Sequence, residues 1–168
     1  NRNKVFWPEQ GYTKGDLLDY YAAVAPVMLP FLRDRPVILV RYPDGIEGKH
    51  FFQWRPPEHT PSFVRTLELR DDEDLEHRGS KSVFLIDHLD ALLHIANLGC
   101  IPIHVLASRA SDLDSGDFFT VDFDIGEGTF RDAITLVLAL RGLLEECGLT
   151  GFPKTSGQTG IHVLVPVG

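Results

Sequence analysis

Phe118-Phe119-Thr120-Val121-Asp122-Phe123-Asp124 is the stretch from which the fold of this chain is read. Side chains on a strand alternate between two faces. Phe119, Val121 and Phe123 therefore share one face, while Phe118, Thr120, Asp122 and Asp124 share the other. Downstream, Phe130–Cys147 carries apolar residues at helical spacing and stops at Gly148, and Ile161–Val165 reads as a closing strand. Upstream, Gly15–Leu32 has the spacing of a helix, with Thr13 or Asp16 placed to cap its start and Pro30 near its end. Pro36–Tyr42 and His50–Trp54 form a long-looped hairpin around the turn residues Pro43-Asp44-Gly45, and Pro56, Pro57 and Pro61 break the chain after it. Asp87–Leu98 reads as a helix ended by Gly99, Ile101–Leu106 as a strand, and Ser108–Asp117 as a polar connection. The expected class is α+β, a mixed or antiparallel sheet with helices packed on it.

At 168 residues, with 43% hydrophobic and 24% charged residues, the chain is sized for one domain with a core of its own. No apolar run approaches the roughly 20 residues of a membrane helix, and the polar start Asn1-Arg2-Asn3-Lys4 is no signal peptide. Cys100 and Cys147 are too few for a disulfide scaffold or a four-ligand zinc site. A reducing, intracellular setting is the expectation. Net charge is −8, which taken alone argues against a nucleic-acid binder. It is unevenly spread: residues 1–66 hold nine Lys/Arg against seven Asp/Glu, and residues 67–168 hold seven against seventeen. That division is either chance or a polyanion-facing part beside a part whose acids hold metal, and the total does not decide between them. The acidic run Glu68–Glu76 reads as a solvated loop.

Asp122 and Asp124, at i and i+2, project together near a strand end. Adjacent carboxylates repel unless a cation neutralises them, and oxygen ligands suit Mg²⁺ or Mn²⁺. The bland alternative is a solvent-facing strand with two incidental acids. Lys154-Thr155-Ser156-Gly157-Gln158-Thr159-Gly160-Ile161-His162 is richer. Backbone N–H groups of a Gly-rich turn, hydroxyls and a lysine can cradle an anion, and His162 lies on the strand that follows. This is no P-loop, because the turn precedes a strand instead of a helix. Its alternative is a flexible turn with a satisfied histidine. Metal ligands on one strand and a phosphate-gripping turn on another are what nucleotidyl transfer needs.

With D-x-D and S-G-x-x-G-x-H in that order, the chain resembles the archaeo-eukaryotic primase superfamily. Lys4–Pro8, Gly11–Lys14, Asp19–Tyr21, Arg41–Gly45, Phe51–Gln53, Asn97–Cys100 and Lys154–Gly157 look like the polymerase domain of bacterial ligase D and its archaeal relatives. The resemblance implies a primase-like fold over 1–168, with an end-binding part at about 1–66 and a catalytic part at about 67–168. It implies a polymerase of double-strand-break repair by non-homologous end joining, adding NTP or dNTP to a primer 3′-hydroxyl. Asp122 and Asp124 match the acids that hold Mn²⁺ or Mg²⁺. Ser156 and His162 match phosphate-gripping positions, with Gly157 and Gly160 in the turn and Lys154 nearby. Lys4 and Lys14 match lysines that hold a downstream 5′-phosphate, and Phe51 and Phe52 match an aromatic pair that stacks on template bases.

The implied partners are DNA with 5′-phosphorylated ends or gaps, ligase and Ku-type proteins, in a bacterial or archaeal cytoplasm near the nucleoid. Pro102 and Leu106 stand where relatives usually carry Glu and Trp, and Trp54 where many carry Lys. The resemblance also implies a third catalytic acid on a later strand, so the chain is expected to be a C-terminally truncated portion. Among nearby acids, Asp114, Asp117 and Glu127 are not distinguished. A catalytically incomplete end-binding module and a metal-dependent phosphoesterase are the competing readings. In a plain strand, one of Phe51 and Phe52 would be core. Cys147 is expected on the buried side of its helix, and the histidines show no zinc spacing with the cysteines.

Overall fold

The computed structural model describes residues 1–69, 82–157 and 160–167. Most of the acidic run Glu68–Glu76 lies outside the described residues, as do Gln158 and Thr159 of the glycine-rich turn. In chain order the elements are β1 (Val5–Trp7), β2 (Tyr12–Thr13), α1 (Lys14–Leu32), β3 (Pro36–Arg41), β4 (Phe51–Gln53), β5 (Arg65–Glu68) and β6 (Ser82–Leu85). There follow α2 (Leu89–Asn97), β7 (Cys100–Val105), β8 (Ser108–Arg109), β9 (Asp112–Gly116), β10 (Phe118–Asp124), α3 (Phe130–Glu146), β11 (Phe152–Thr155) and β12 (Gly160–Pro166). The α+β expectation holds, and the pairings in both main sheets are antiparallel.

The chain divides into two compact units, Asn1–Leu113 and Asp114–Gly168. The charge division at residue 66 falls inside β5 and marks no boundary of the fold.

In the first unit β3 is the hub. Strand β7 runs along one edge, while β6 and β4 share the other, pairing with its first and second halves. Val37 and Leu39 of β3 are fully buried, and α1 and α2 cover them with Leu17, Tyr21, Ala25, Ala91, Leu92 and Ile95. Both sequence cues for the start of α1 are used at once. Thr13 is the N-cap and Asp16 sits at the third helical position, each side chain bonding the other's backbone N–H. Pro26 and Pro30 both lie inside the helix.

Strand β7 carries one extra residue: Leu39 pairs with Ile103, but Arg41 pairs with Cys100. Pro102, which has no N–H to give a ladder, falls in this bulge. The bulge turns the Ile101 carbonyl toward the helices, where the buried Tyr21 hydroxyl donates to it. Leu106 continues past the bulge, its N–H donating to Pro36 O at 3.0 Å.

In the second unit the sheet order is β10-β12-β11. Phe123, Val163 and Val165 pack with Leu144, Val137 and Leu140 of α3, so Phe123 of the apolar face read from Phe118–Asp124 meets the helix while Phe119 stays exposed. Thr129 and Asp132 cap α3 as Thr13 and Asp16 cap α1.

Several elements differ from the sequence reading. The polar stretch Ser108–Asp117 holds the paired strands β8 and β9. Strands β5, β6 and β11 add to the sheets, and β11 carries no burial contrast at all, since its four residues are exposed. Cys147 is exposed, not core, because α3 buries only Ala133 and Leu144 fully and ends before it.

Candidate functional site

The second unit brings the sequence-predicted nucleotide residues together by strand register. Asp122 faces His162, and His162 faces Lys154. Opposed residues of an antiparallel pair project to the same face. The three side chains therefore form one row across the sheet, on the face opposite α3. His162 Nε2 lies 3.3 Å from Asp122 Oδ1, and Lys154 Nζ lies 3.5 Å from His162 Nδ1. The ring thus stands between the carboxylate, which faces Nε2, and the ammonium, which faces Nδ1. The side chains of His162 and Asp122 are 31% and 54% exposed, which leaves the row reachable from solvent.

One residue further along, Asp124 faces Gly160. A Cβ at Gly160 would lie 2.5 Å from the Phe123 carbonyl oxygen and 3.4 Å from Asp124 Oδ1. Only glycine lets the turn approach the acid-bearing strand this closely, and its missing side chain keeps the space beside Asp124 open. The turn is closed by Ser156, whose N–H donates to Gly160 O and whose Oγ accepts from Gly160 N–H, both at 2.9 Å. Gly157 has a φ of 91°, in the left-handed region.

Two carboxylates with an open position beside them offer oxygen alone, which fits a hard cation that keeps waters and takes further ligands from substrate phosphates. Among the described residues no group of three or more His, Cys, Asp or Glu converges for a metal ion.

The first unit gathers the cations. Lys4 Nζ donates to Pro43 O and to Asp44 Oδ1, each at 2.7 Å. The backbone N–H of Lys14 donates to Lys4 O at 2.8 Å, which sets the two lysines side by side at the start of α1. The Lys14 ammonium has no hydrogen-bond or ion-pair partner among the described residues. Partial burial, then the charges of Lys4 and Arg41, push its pKa below the ordinary lysine value. Such a cluster stores repulsion that a bound anion relieves.

Arg41 was quoted in the sequence resemblance without a role, and it joins the two groups. Its Nε donates to Leu98 O at 2.9 Å, its Nη1 to Gln53 Oε1 at 2.8 Å, and its guanidinium lies 5.2 Å from the centre of the Phe51 ring. The hairpin register, which sets Arg41 opposite Phe51, was the available signal.

Phe51 and Phe52 are 44% and 54% exposed, so neither is core. The reason is position. Strand β4 has only three residues, lies at the end of the sheet order, and sets Phe52 and Phe51 opposite Val40 and Arg41 in the last part of β3. Phe52 rests against the His104 ring at 6.0 Å.

The LigD primase-polymerase domain profile matches residues 13–168. The chain belongs to the LigD primase-polymerase domain family. It is 30% identical over 171 residues to the multifunctional non-homologous end joining protein LigD of Mycolicibacterium smegmatis, covering 99% of this chain and 22% of that protein. Identity is 32% over 177 residues to the multifunctional non-homologous end joining DNA repair protein LigD of Mycobacterium tuberculosis strain H37Rv, covering 99% of this chain and 22% of that one. The solved polymerase domain of Mycobacterium tuberculosis ligase D in complex with DNA superposes with a TM-score of 0.88 at 31% identity, over 99% of this chain and 60% of that chain. The chain thus spans about a fifth of these relatives' full length. The family membership and the α+β primase-polymerase fold expected from D-x-D and S-G-x-x-G-x-H both hold. No helix among the described residues is long and apolar enough to cross a membrane.

Proposed function

We propose that this chain carries the polymerase chemistry of a LigD primase-polymerase domain: template-dependent addition of NTP or dNTP to a primer 3′-hydroxyl at DNA ends in non-homologous end joining. The observation that carries the reading is the row Asp122–His162–Lys154 on an open sheet face, with Asp124 and the Ser156–Gly160 turn at its end.

Asp122 and Asp124 would hold Mn²⁺ or Mg²⁺, which would supply charge neutralisation at the α-phosphate for attack of the 3′-hydroxyl. Lys154 and His162 take the polyphosphate, and Ser156, Gly157 and Gly160 shape the turn around it. When the nucleotide enters, His162 exchanges its contact with Asp122 for a phosphate oxygen. Lys4 and Lys14 hold the 5′-phosphate of the downstream strand, and Phe51 and Phe52 give template bases a stacking surface. The partners on this reading are 5′-phosphorylated ends or gaps together with ligase and Ku-type proteins, in a bacterial or archaeal cytoplasm near the nucleoid.

Primer extension on a gapped duplex with a 5′-phosphate, in Mn²⁺ and with each nucleotide type, tests it. Wild type should extend and Asp122→Ala should not, while end binding stays nearly equal. Extension that survives Asp122→Ala removes the assigned site. Phosphate release without primer growth would instead support a phosphoesterase.

A second reading, an end-binding module without catalysis, is favoured by one observation: the two acids have no third ligand among the described residues. Tight 5′-phosphate-dependent binding without extension would select it.

A further inference from the structure

A pocket of about 510 Å³ opens in the first unit between α1, α2 and the loop before β5. That volume is in the range of small-ligand sites, about 300–1,000 Å³. Leu18 and Leu93 give it apolar walls, and Arg2, His94, Asn97 and the carboxylates of Asp19 and Asp90 line it with polar groups. Phe63 lines it, 46% exposed. The ring is held edge-on by two histidines, His88 at 6.3 Å and 77° and His94 at 5.9 Å and 87°. These contacts fix its orientation and leave ring surface toward the pocket. Arg2 is fixed as well, through two 2.7 Å hydrogen bonds to Asp19.

The pocket adjoins the cation cluster. Arg2 precedes Lys4 by two residues, and its carbonyl accepts from Gly15 N–H, next to Lys14, at 2.7 Å. Arg41 Nε donates to Leu98 O at 2.9 Å, next to Asn97 of the pocket, and the same guanidinium, after burial and Lys4, lowers the Lys14 pKa.

An anion site flanked by a rigid, exposed aromatic ring in a pocket of nucleoside size has the chemistry of a terminal nucleotide. We infer that this pocket receives the 5′-terminal nucleoside of the downstream strand, its base stacked on Phe63, while Lys4 and Lys14 hold the attached phosphate. The inference rests on the 5′-phosphate reading of those lysines. It makes the protein sensitive to the presence of a base at the end it grips, beyond the charge of the phosphate.

The test is binding to a gapped duplex whose downstream strand begins with 5′-phospho-2-aminopurine, followed by anisotropy and by 2-aminopurine fluorescence. Wild type should quench the probe, and Phe63→Leu, which keeps apolar bulk without a π face, should not. Phe63→Leu should lose roughly tenfold in affinity, the size of one base–aromatic stack. Phe63→Trp should retain both readouts, which separates stacking from misfolding. Replacing the terminal base by an abasic site should weaken wild type by the same factor and leave Phe63→Leu unchanged. Equal losses by both proteins on the abasic end, or unquenched probe with wild type, overturn the inference. The 5′-phosphate reading is scored separately: if removing the phosphate leaves wild-type affinity unchanged, the lysine assignment fails whatever Phe63 does.

Discussion

Gly160 gives the sharpest test of how the turn and the acid strand are joined. In Gly160→Ala the new Cβ would sit 2.5 Å from Phe123 O, whereas ordinary contact begins at 3.4 Å, so something must give by about 0.9 Å. The obstructing atom is backbone, in the strand that carries Asp122 and Asp124, and that strand is tied to β12 along seven residue pairs. Overpacking of this kind costs about 1–3 kcal/mol, against a gain of about 0.4–1 kcal/mol from the reduced freedom of the unfolded chain. The net loss is about 1–2 kcal/mol, or a fall in Tm of about 2–8 °C for a chain of this size.

Activity should fall further than stability. A displacement near 1 Å at a reacting centre is worth about 10²-fold in rate, and the displaced element holds Asp124. Gly148→Ala, just after α3 and away from the turn, is the control. Its added Cβ meets nothing within 4 Å, and only its φ of 71° is unfavourable, at about 1–2 kcal/mol. The pair should therefore match in thermal unfolding and differ by about two decades in primer extension. If Gly160→Ala extends like wild type, or Gly148→Ala loses as much, the close approach of turn to strand is not what positions the acids.

Further outcomes follow from single contacts. Lys14→Met removes a partly buried cation repelled by Lys4 and Arg41, so it should raise the denaturant midpoint while abolishing the preference for 5′-phosphorylated ends. Tyr21→Phe deletes the donor to Ile101 O at the β7 bulge and should destabilise by about 1–2 kcal/mol in urea unfolding. Burial pushes the Cys100 thiol up to about 12, so alkylation at pH 8 should label the exposed Cys147 alone until denaturant is added. Burial tends to raise the Asp87 pKa, but hydrogen bonds from His88 and Arg65 outweigh it and hold the carboxyl below its ordinary value of 3.8. That contribution is present above the ordinary value and is lost as pH falls through the folded one. Asp87→Asn should therefore flatten the acid limb of the stability curve below about pH 4.

What the sequence made legible, and what it hid, follows from where each signal lives. Phe118–Asp124 announces a strand because one of its faces packs Phe123 against α3 while the other keeps two acids, a contrast that survives from Val121 to Asp124 but not at the exposed Phe119. Strand β11 announces nothing, because Phe152–Thr155 is an exposed edge held by backbone pairing to β12, and backbone pairing leaves no mark on side-chain type. Lys154 was legible as a lysine near a glycine-rich turn, yet its place at the end of the Asp122–His162 row depends on the β11 register, which lies in the unmarked strand. Arg41 is the same case: its partners Gln53 and Phe51 come from β4 and Leu98 from the end of α2. Chemistry confined to one strand or turn could be read from spacing alone, whereas chemistry assembled across strands required register.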